Sequence, residues 1–218
     1  LEGEVHLVMH LRMNGNLLYR REPEEEPAPY TRVRFALDDG AEVLFCDVRR
    51  FGTGVVLLGD AARDDYFAGR LGVEPLGEEF TVEALRARAR GRRAPVKAFL
   101  LAQERIAGVG NIYADEALFR ARIHPLRPVG TLRRAQLEAL RDAVVEALEA
   151  GIDARGATID DFRHADGQRG SFQDRFLVHR RAGQPCPRCG TAIVKIRAAG
   201  RGTYLCPRCQ PKPRTRGR

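Results

Sequence analysis

The sequence predicts an α+β chain built as three consecutive blocks, and three observations carry that reading. Apolar and polar residues alternate through residues 1–60, the spacing turns helical from about residue 80, and the last fifth holds two C-x-x-C pairs. The predicted boundaries are 1–75 for the β block, 76–174 for the helical block and 175–218 for the cysteine block. No segment repeats along the chain.

The β block opens with Val5, Leu7, Met9 and Leu11 alternating with His6, Val8, His10 and Arg12, after which Asn14-Gly15 offers a hairpin turn. NLLYRR and TRVRFALDDGAEVLFCDV continue it, with Asp38-Asp39-Gly40 as a turn, and GTGVVLLG adds a short strand. EEEP at 24–27 reads as an acidic loop. Cys46, alone in an apolar strand, reads as a small buried hydrophobe.

In the helical block, TVEALRARARG, APVKAFLLAQERI and NIYADEALFRARI read as short helices. The clearest helix is TLRRAQLEALRDAVVEALEAG, where Leu137, Leu140, Val144 and Leu148 form one stripe, with Thr131 as N-cap and Gly151 as its end. ARGATIDDFRHADGQRGSF is rich in Gly and Asp and reads as a loop.

The net charge of +8 is unevenly placed. From Arg175 onward the chain carries twelve Lys and Arg and no acid, whereas residues 1–174 hold 25 basic and 29 acidic side chains. A basic block interleaved with cysteines favours a folded module facing a polyanion. No apolar run approaches the ~18–20 residues of a membrane span, and no leader pattern is present, so the reading is of a cytosolic protein.

Cys186, Cys189, Cys206 and Cys209 have the spacing of one structural Zn²⁺ site, each pair on a tight turn and four thiolates closing a tetrahedron. With no open ligand position, this metal is predicted to be structural. Between the pairs, GTAIVKIRAAGRGTYL reads as a hairpin around Ala198-Ala199-Gly200 that presents Lys195, Arg197 and Arg201.

HLRMNG (10–15), DVRRFG (47–52) and VKAFLLAQERIAGVGNIYADEALFRARIHP (96–125), followed by the four-cysteine hairpin, closely resemble the formamidopyrimidine-DNA glycosylase family. The resemblance covers essentially the whole chain. It implies a partial N-terminal β-sandwich, a helix–two-turn–helix domain and a C-terminal zinc-finger β-hairpin. It also implies base-excision repair of oxidised purines (8-oxoguanine and formamidopyrimidines) by a bifunctional glycosylase and apurinic-site lyase working through β- and δ-elimination. The implied partner is double-stranded DNA carrying oxidised bases or abasic sites, bound by a monomer in the bacterial cytosol.

Residue by residue, the resemblance assigns Lys97 and Asn111 to phosphate contacts, Asn111 opening a helix whose first amides are unpaired. Phe51 is the wedge that fills the stack when a base is extruded, Arg49 faces the orphaned cytosine, and Met13 completes the plug. His10 and Arg93 match further DNA contacts. Arg201 matches the arginine that grips the flanking phosphates and donates a proton in δ-elimination. Val48 stands where proline is expected. Tyr30 stands where many relatives carry a histidine; its phenol can donate one hydrogen bond but cannot become cationic.

Family chemistry uses an N-terminal proline amine that attacks C1′, with a glutamate beside it and a lysine farther along. None of these is found in the 218 residues, so the chain is expected to be N-terminally truncated and inactive as given, with an exposed apolar edge in its β block. Two other readings are a non-catalytic damaged-DNA-binding zinc protein and an endonuclease VIII-type glycosylase for oxidised pyrimidines. RRFG with a separate Met13 favours the purine branch.

Overall fold

The computed structural model describes residues 3–12, 14–26, 28–159 and 164–213, and the statements below concern these residues. The chain forms two compact units, Leu1–Ala68 with Asp153–Asp174, and Gly69–Ile152 with Arg175–Arg218. Residues 76–152 of the helical block therefore share one unit with the cysteine block, whereas 153–174 group with the β block.

The first unit holds β1 (Val5–His10), β2 (Gly15–Arg20), β3 (Thr31–Ala36), β4 (Glu42–Asp47), β5 (Thr53–Leu58) and helix α1 (Asp60–Phe67). The strands make two sheets, β1 with β5 and β2-β4-β3, all antiparallel. The hairpin expected at Asn14-Gly15 does not form, because β1 and β2 belong to different sheets. The chain instead turns sharply there. The Gly15 amide donates to the Leu11 carbonyl at 2.9 Å, and a Cβ on Gly15 would stand 2.4 Å from that oxygen. The Asp38-Asp39-Gly40 turn does form, with Gly40 at φ +83°.

β4 is the centre of this unit. It is paired on both edges, and Leu44, Phe45 and Cys46 are buried. Leu7, Val33, Val56 and Leu58 remain exposed, and the first three line a groove of about 690 Å³ together with Met9, Phe35 and Phe45. The helix α1 has no counterpart in the sequence reading. None of its residues is buried, so it leaves no apolar stripe to read.

The second unit is built on α2 (Val82–Ala89), α3 (Val96–Leu101), α4 (Asn111–Arg120) and α5 (Arg134–Asp153), followed by the hairpin β6 (Val194–Ala198) and β7 (Arg201–Leu205). Its core joins Leu85, Phe99, Leu100, Leu118, Leu140 and Val144. Leu137, Leu140 and Val144 are buried as the stripe predicts, with Leu148 packed partly buried beside them.

Both ends of α5 differ from expectation. Thr131 does not cap it. Its hydroxyl donates to the Pro128 carbonyl at 2.8 Å within a 3₁₀ turn, Val129–Thr131, and the helix starts at Arg134. The Gln136 side chain reaches back to the Arg133 amide at 3.1 Å and satisfies one of the free donors there. Gly151 lies inside the helix rather than after it. There it admits the Tyr113 ring, which would lie 2.5 Å from any Cβ.

Candidate nucleic-acid interface and metal centre

In the first unit the candidate residues cluster on the loop between β4 and β5. Arg49 and Phe51 are exposed, and Phe51 shows 61% of its surface to solvent. An exposed phenylalanine on a loop is held there by something else, and that something is Asp47. Its buried carboxylate accepts the Arg49 amide at 3.1 Å and the Gly52 amide at 2.8 Å, closing the turn beneath Arg50, which sits at φ +58°. These backbone bonds, the one from Gly52 foremost, hold the Asp47 carboxyl below the usual carboxylate range against the opposing effect of burial. Gly52 has no room for a side chain, since a Cβ there would meet the Phe45 ring at 2.3 Å.

Tyr30 is exposed at φ +63°, and its carbonyl accepts the Asp47 amide at 3.1 Å, so its backbone buttresses the same loop. His10 is exposed at the end of β1 and takes the Arg12 amide on Nδ1 at 3.0 Å. Met13 lies outside the described residues.

In the second unit Gly108, at φ +73°, bends the chain into α4, and Asn111 stands at the first position of that helix. The Asn111 side-chain amide donates to the Gly202 carbonyl of the hairpin at 3.2 Å, leaving its own buried carbonyl oxygen without a partner among the described residues. The hairpin turn places Ala199 and Gly200 both at positive φ, the pairing typical of a tight two-residue turn, with Arg201 exposed directly after it. Arg93 is exposed in the loop before α3.

Lys97 is placed differently from the expectation of a direct phosphate contact. The side chain is fully buried, and its ammonium donates to Asp115 Oδ1 at 2.6 Å, Thr203 Oγ1 at 2.7 Å and the Gly202 carbonyl at 3.3 Å. An ammonium has three hydrogens, and all three are engaged. Burial pushes its pKa down, while the Asp115 charge opposes that shift.

Asp115 and Glu116, adjacent on α4 and both buried, have no counterpart in the sequence reading. Asp115 takes His179 Nδ1 at 2.9 Å and the Tyr204 amide at 3.3 Å on its second oxygen. Glu116 accepts the amides of Leu177, Val178 and His179 at 3.0–3.1 Å and pairs with Arg120 at 3.0 Å. Nothing local in NIYADEALF marks these acids as interior, because the groups that receive them lie at 177–179 and on the hairpin.

The four cysteines converge as their spacing predicts. Their sulfurs all lie within 4.8 Å of one another, with Cys186–Cys209 at 3.9 Å, Cys189–Cys206 at 3.5 Å and Cys189–Cys209 at 3.6 Å. A tetrahedral zinc with bonds of about 2.3 Å requires sulfurs about 3.8 Å apart, so the cluster fits that ion. Burial and the neighbouring sulfurs push the Cys209 thiol up to about 12, while hydrogen bonds with Thr191 hold Cys189 at about 6. A bound cation would turn this uneven set into four thiolates.

Both cysteine turns are docked on the C-terminal end of α4. Arg188 donates to the carbonyls of Phe119 at 2.7 Å and Arg120 at 3.2 Å. Gln210 links the Cys206 amide to the Ile123 carbonyl, at 3.0 and 2.9 Å. One helix thus carries Asn111 at its start and the metal centre at its end.

Family comparisons agree with this layout. The formamidopyrimidine-DNA glycosylase N-terminal domain matches residues 1–54, that family's H2TH domain matches 71–163, and the zinc finger found in FPG and IleRS matches 183–212. The formamidopyrimidine-DNA glycosylase of Heliobacterium modesticaldum is 44% identical over 212 residues, which span 96% of this chain and 76% of that protein. The chain belongs to the formamidopyrimidine-DNA glycosylase family. Among solved structures, the Fpg protein of Thermus thermophilus superposes with a TM-score of 0.86 at 41% identity, covering 98% of this chain and 78% of that one. Lactococcus lactis Fpg bound to DNA containing Fapy-dG gives 0.86 at 32% identity, covering 95% and 76%. The Fpg-family architecture of N-terminal domain, H2TH domain and zinc finger is therefore that of this chain, and its setting is DNA repair by a DNA glycosylase. Among the described residues no helix is long and apolar enough to cross a membrane.

Proposed function

We propose that this protein acts in base-excision repair of oxidised purines as a bifunctional glycosylase and apurinic-site lyase, binding damaged duplex DNA as a monomer in the bacterial cytosol. The observation that carries this reading is the clamp between Asn111 and Gly202 at 3.2 Å, which sets a helix N-terminus beside the hairpin that bears Arg201. Unpaired amides and a guanidinium together suit the phosphates that flank a lesion. The Fapy-dG in the Lactococcus lactis complex is an oxidised purine, which supports the choice of substrate class for this chain.

In this reading Phe51 enters the gap left by an extruded nucleotide, and Arg49 hydrogen-bonds the orphaned cytosine. His10, Tyr30 and Arg93 contact the backbone, and Arg201 grips the flanking phosphates and donates the proton of the second elimination. Zinc, when bound, neutralises four thiolates and holds the hairpin; it takes no part in the chemistry.

The family's Pro-Glu-Leu-Pro-Glu setting does not occur in the 218 residues. The glycosylase and lyase steps are proposed for the protein carrying that amine, and the 218 residues by themselves are proposed to bind DNA without forming a Schiff base. The test pairs two measurements on a duplex with one abasic site opposite dC. Binding is expected to weaken steeply with salt, and borohydride is expected to trap no covalent adduct. A salt-independent affinity sinks the DNA reading. A robust adduct shows that the nucleophile lies within these residues.

A further inference from the structure

We propose that Lys97 is a positioning residue, working through Asp115 and Thr203 to set where the hairpin presents Arg201 beside the start of α4. The proposal rests on the reading of Arg201 as a phosphate contact. The geometry is a relay of buried bonds. Asp115 orients the Lys97 ammonium from one side. Lys97 donates to Thr203 Oγ1, and that hydroxyl passes its own hydrogen to the Arg201 carbonyl at 3.1 Å. The Gly202 carbonyl receives both Lys97 and the Asn111 amide. Three consecutive hairpin residues, 201 to 203, are thereby tied to α3 and α4.

Placement on the helix explains how one lysine reaches both ends of the relay. Asn111 and Asp115 stand four residues apart on α4 and so share a face. The hairpin lies along that face, with Gly202 at Asn111 and the Tyr204 amide at Asp115. A buried ion pair is weak support for stability, because its desolvation offsets its attraction. What it supplies is direction. A hairpin that slid or tilted by one residue would leave the buried Lys97 ammonium with Asp115 alone, its bonds to Thr203 and Gly202 lost.

The test uses the zinc-loaded chain and a duplex with a tetrahydrofuran abasic-site analogue. Thr203→Val removes the relay hydroxyl at nearly constant volume, and Thr203→Ser keeps it. Zinc content and circular dichroism identify folded variants. Thr203→Val is expected to weaken binding about fivefold, the scale of one hydrogen bond, and Thr203→Ser to restore it. The slope of log affinity against log salt is expected to fall by about 0.9, one phosphate contact. Combined with Arg201→Ala, Thr203→Val is expected to cost nothing further.

Additive losses in that double variant, or wild-type affinity and slope for Thr203→Val where Arg201→Ala is weakened, overturn the relay. Unchanged affinity for Arg201→Ala instead overturns the phosphate role on which the relay depends. Lys97→Met with Asp115→Leu gives a second, apolar route to the same comparison, with the same expected loss of slope.

Discussion

The guanidinium of Arg188 lies over the Phe119 ring, 4.5 Å from its centroid, and donates to the Phe119 carbonyl at 2.7 Å. Arg188 sits between the first two cysteines, and Phe119 is in the last turn of α4 and fully buried. The cation meets the negative end of the helix dipole and the ring face together. The zinc module is thus attached to the helical core through a helix terminus.

Arg188→Ala is therefore expected to destabilise the second unit by about 1–2 kcal/mol, the worth of charge-assisted bonds at a partly exposed site. Arg188→Lys is expected to recover less than half, since one ammonium cannot reproduce the planar fork. Thermal unfolding of the zinc-loaded chain measures both.

Phe119→Ala is expected to cost about 3–5 kcal/mol. The ring packs with Val178, Cys186, Ile193 and Cys206, so the cavity opens directly under the metal centre. Zinc affinity measured by competition with a chelator is expected to fall with stability.

Removal of zinc is expected to unfold the hairpin and abolish DNA binding. The small cluster around the cysteines has few apolar residues to replace the metal as a core. Chelation followed by circular dichroism and DNA titration checks this, and full affinity in the apo chain contradicts it.

Acid is expected to loosen the loop that carries Arg49 and Phe51. Asp47 has a folded pKa below its unfolded value, so its contribution is present above about pH 4 and is lost as pH falls through the depressed folded value. Amide exchange at Gly52, corrected for intrinsic rates, is expected to quicken below about pH 4 and to be quick at neutral pH in Asp47→Ala. Gly52→Ala is expected to displace the Phe45 ring, costing about 1–3 kcal/mol.

Phe51→Ala and Arg201→Ala separate two kinds of contact. Arg201→Ala is expected to weaken binding to damaged and undamaged duplexes alike, since phosphates carry no sequence. Phe51→Ala is expected to leave undamaged binding intact and to reduce extrusion, read with 2-aminopurine placed opposite or beside the lesion.

Much of the candidate site is legible in residue types and spacing. The four-cysteine cluster follows from two C-x-x-C pairs, and the hairpin follows from alternation around Ala199-Gly200. Arg49, Phe51, Asn111 and Arg201 carry motif signals, because turn tips and helix starts are written in short runs of sequence. The inward placement of Lys97 leaves no such mark: a lysine near a helix start looks the same in sequence whether solvent or Asp115 receives its charge. Asp47 and Asp115 are illegible for the same reason. A carboxylate's partners here are backbone amides and residues up to 89 positions away.

By itself the sequence determined the α+β order, the cysteine metal site, the basic C-terminal block and the family, because periodicity, spacing and charge are local properties of the chain. Tertiary structure alone decided that β1 and β2 belong to different sheets, that Gly151 seats a ring, and that Lys97 faces inward. Each of these depends on which distant segment supplies a strand edge, a ring or a counter-charge. Burial makes those partners compulsory: a polar group taken out of water takes whatever acceptor the fold brings to it.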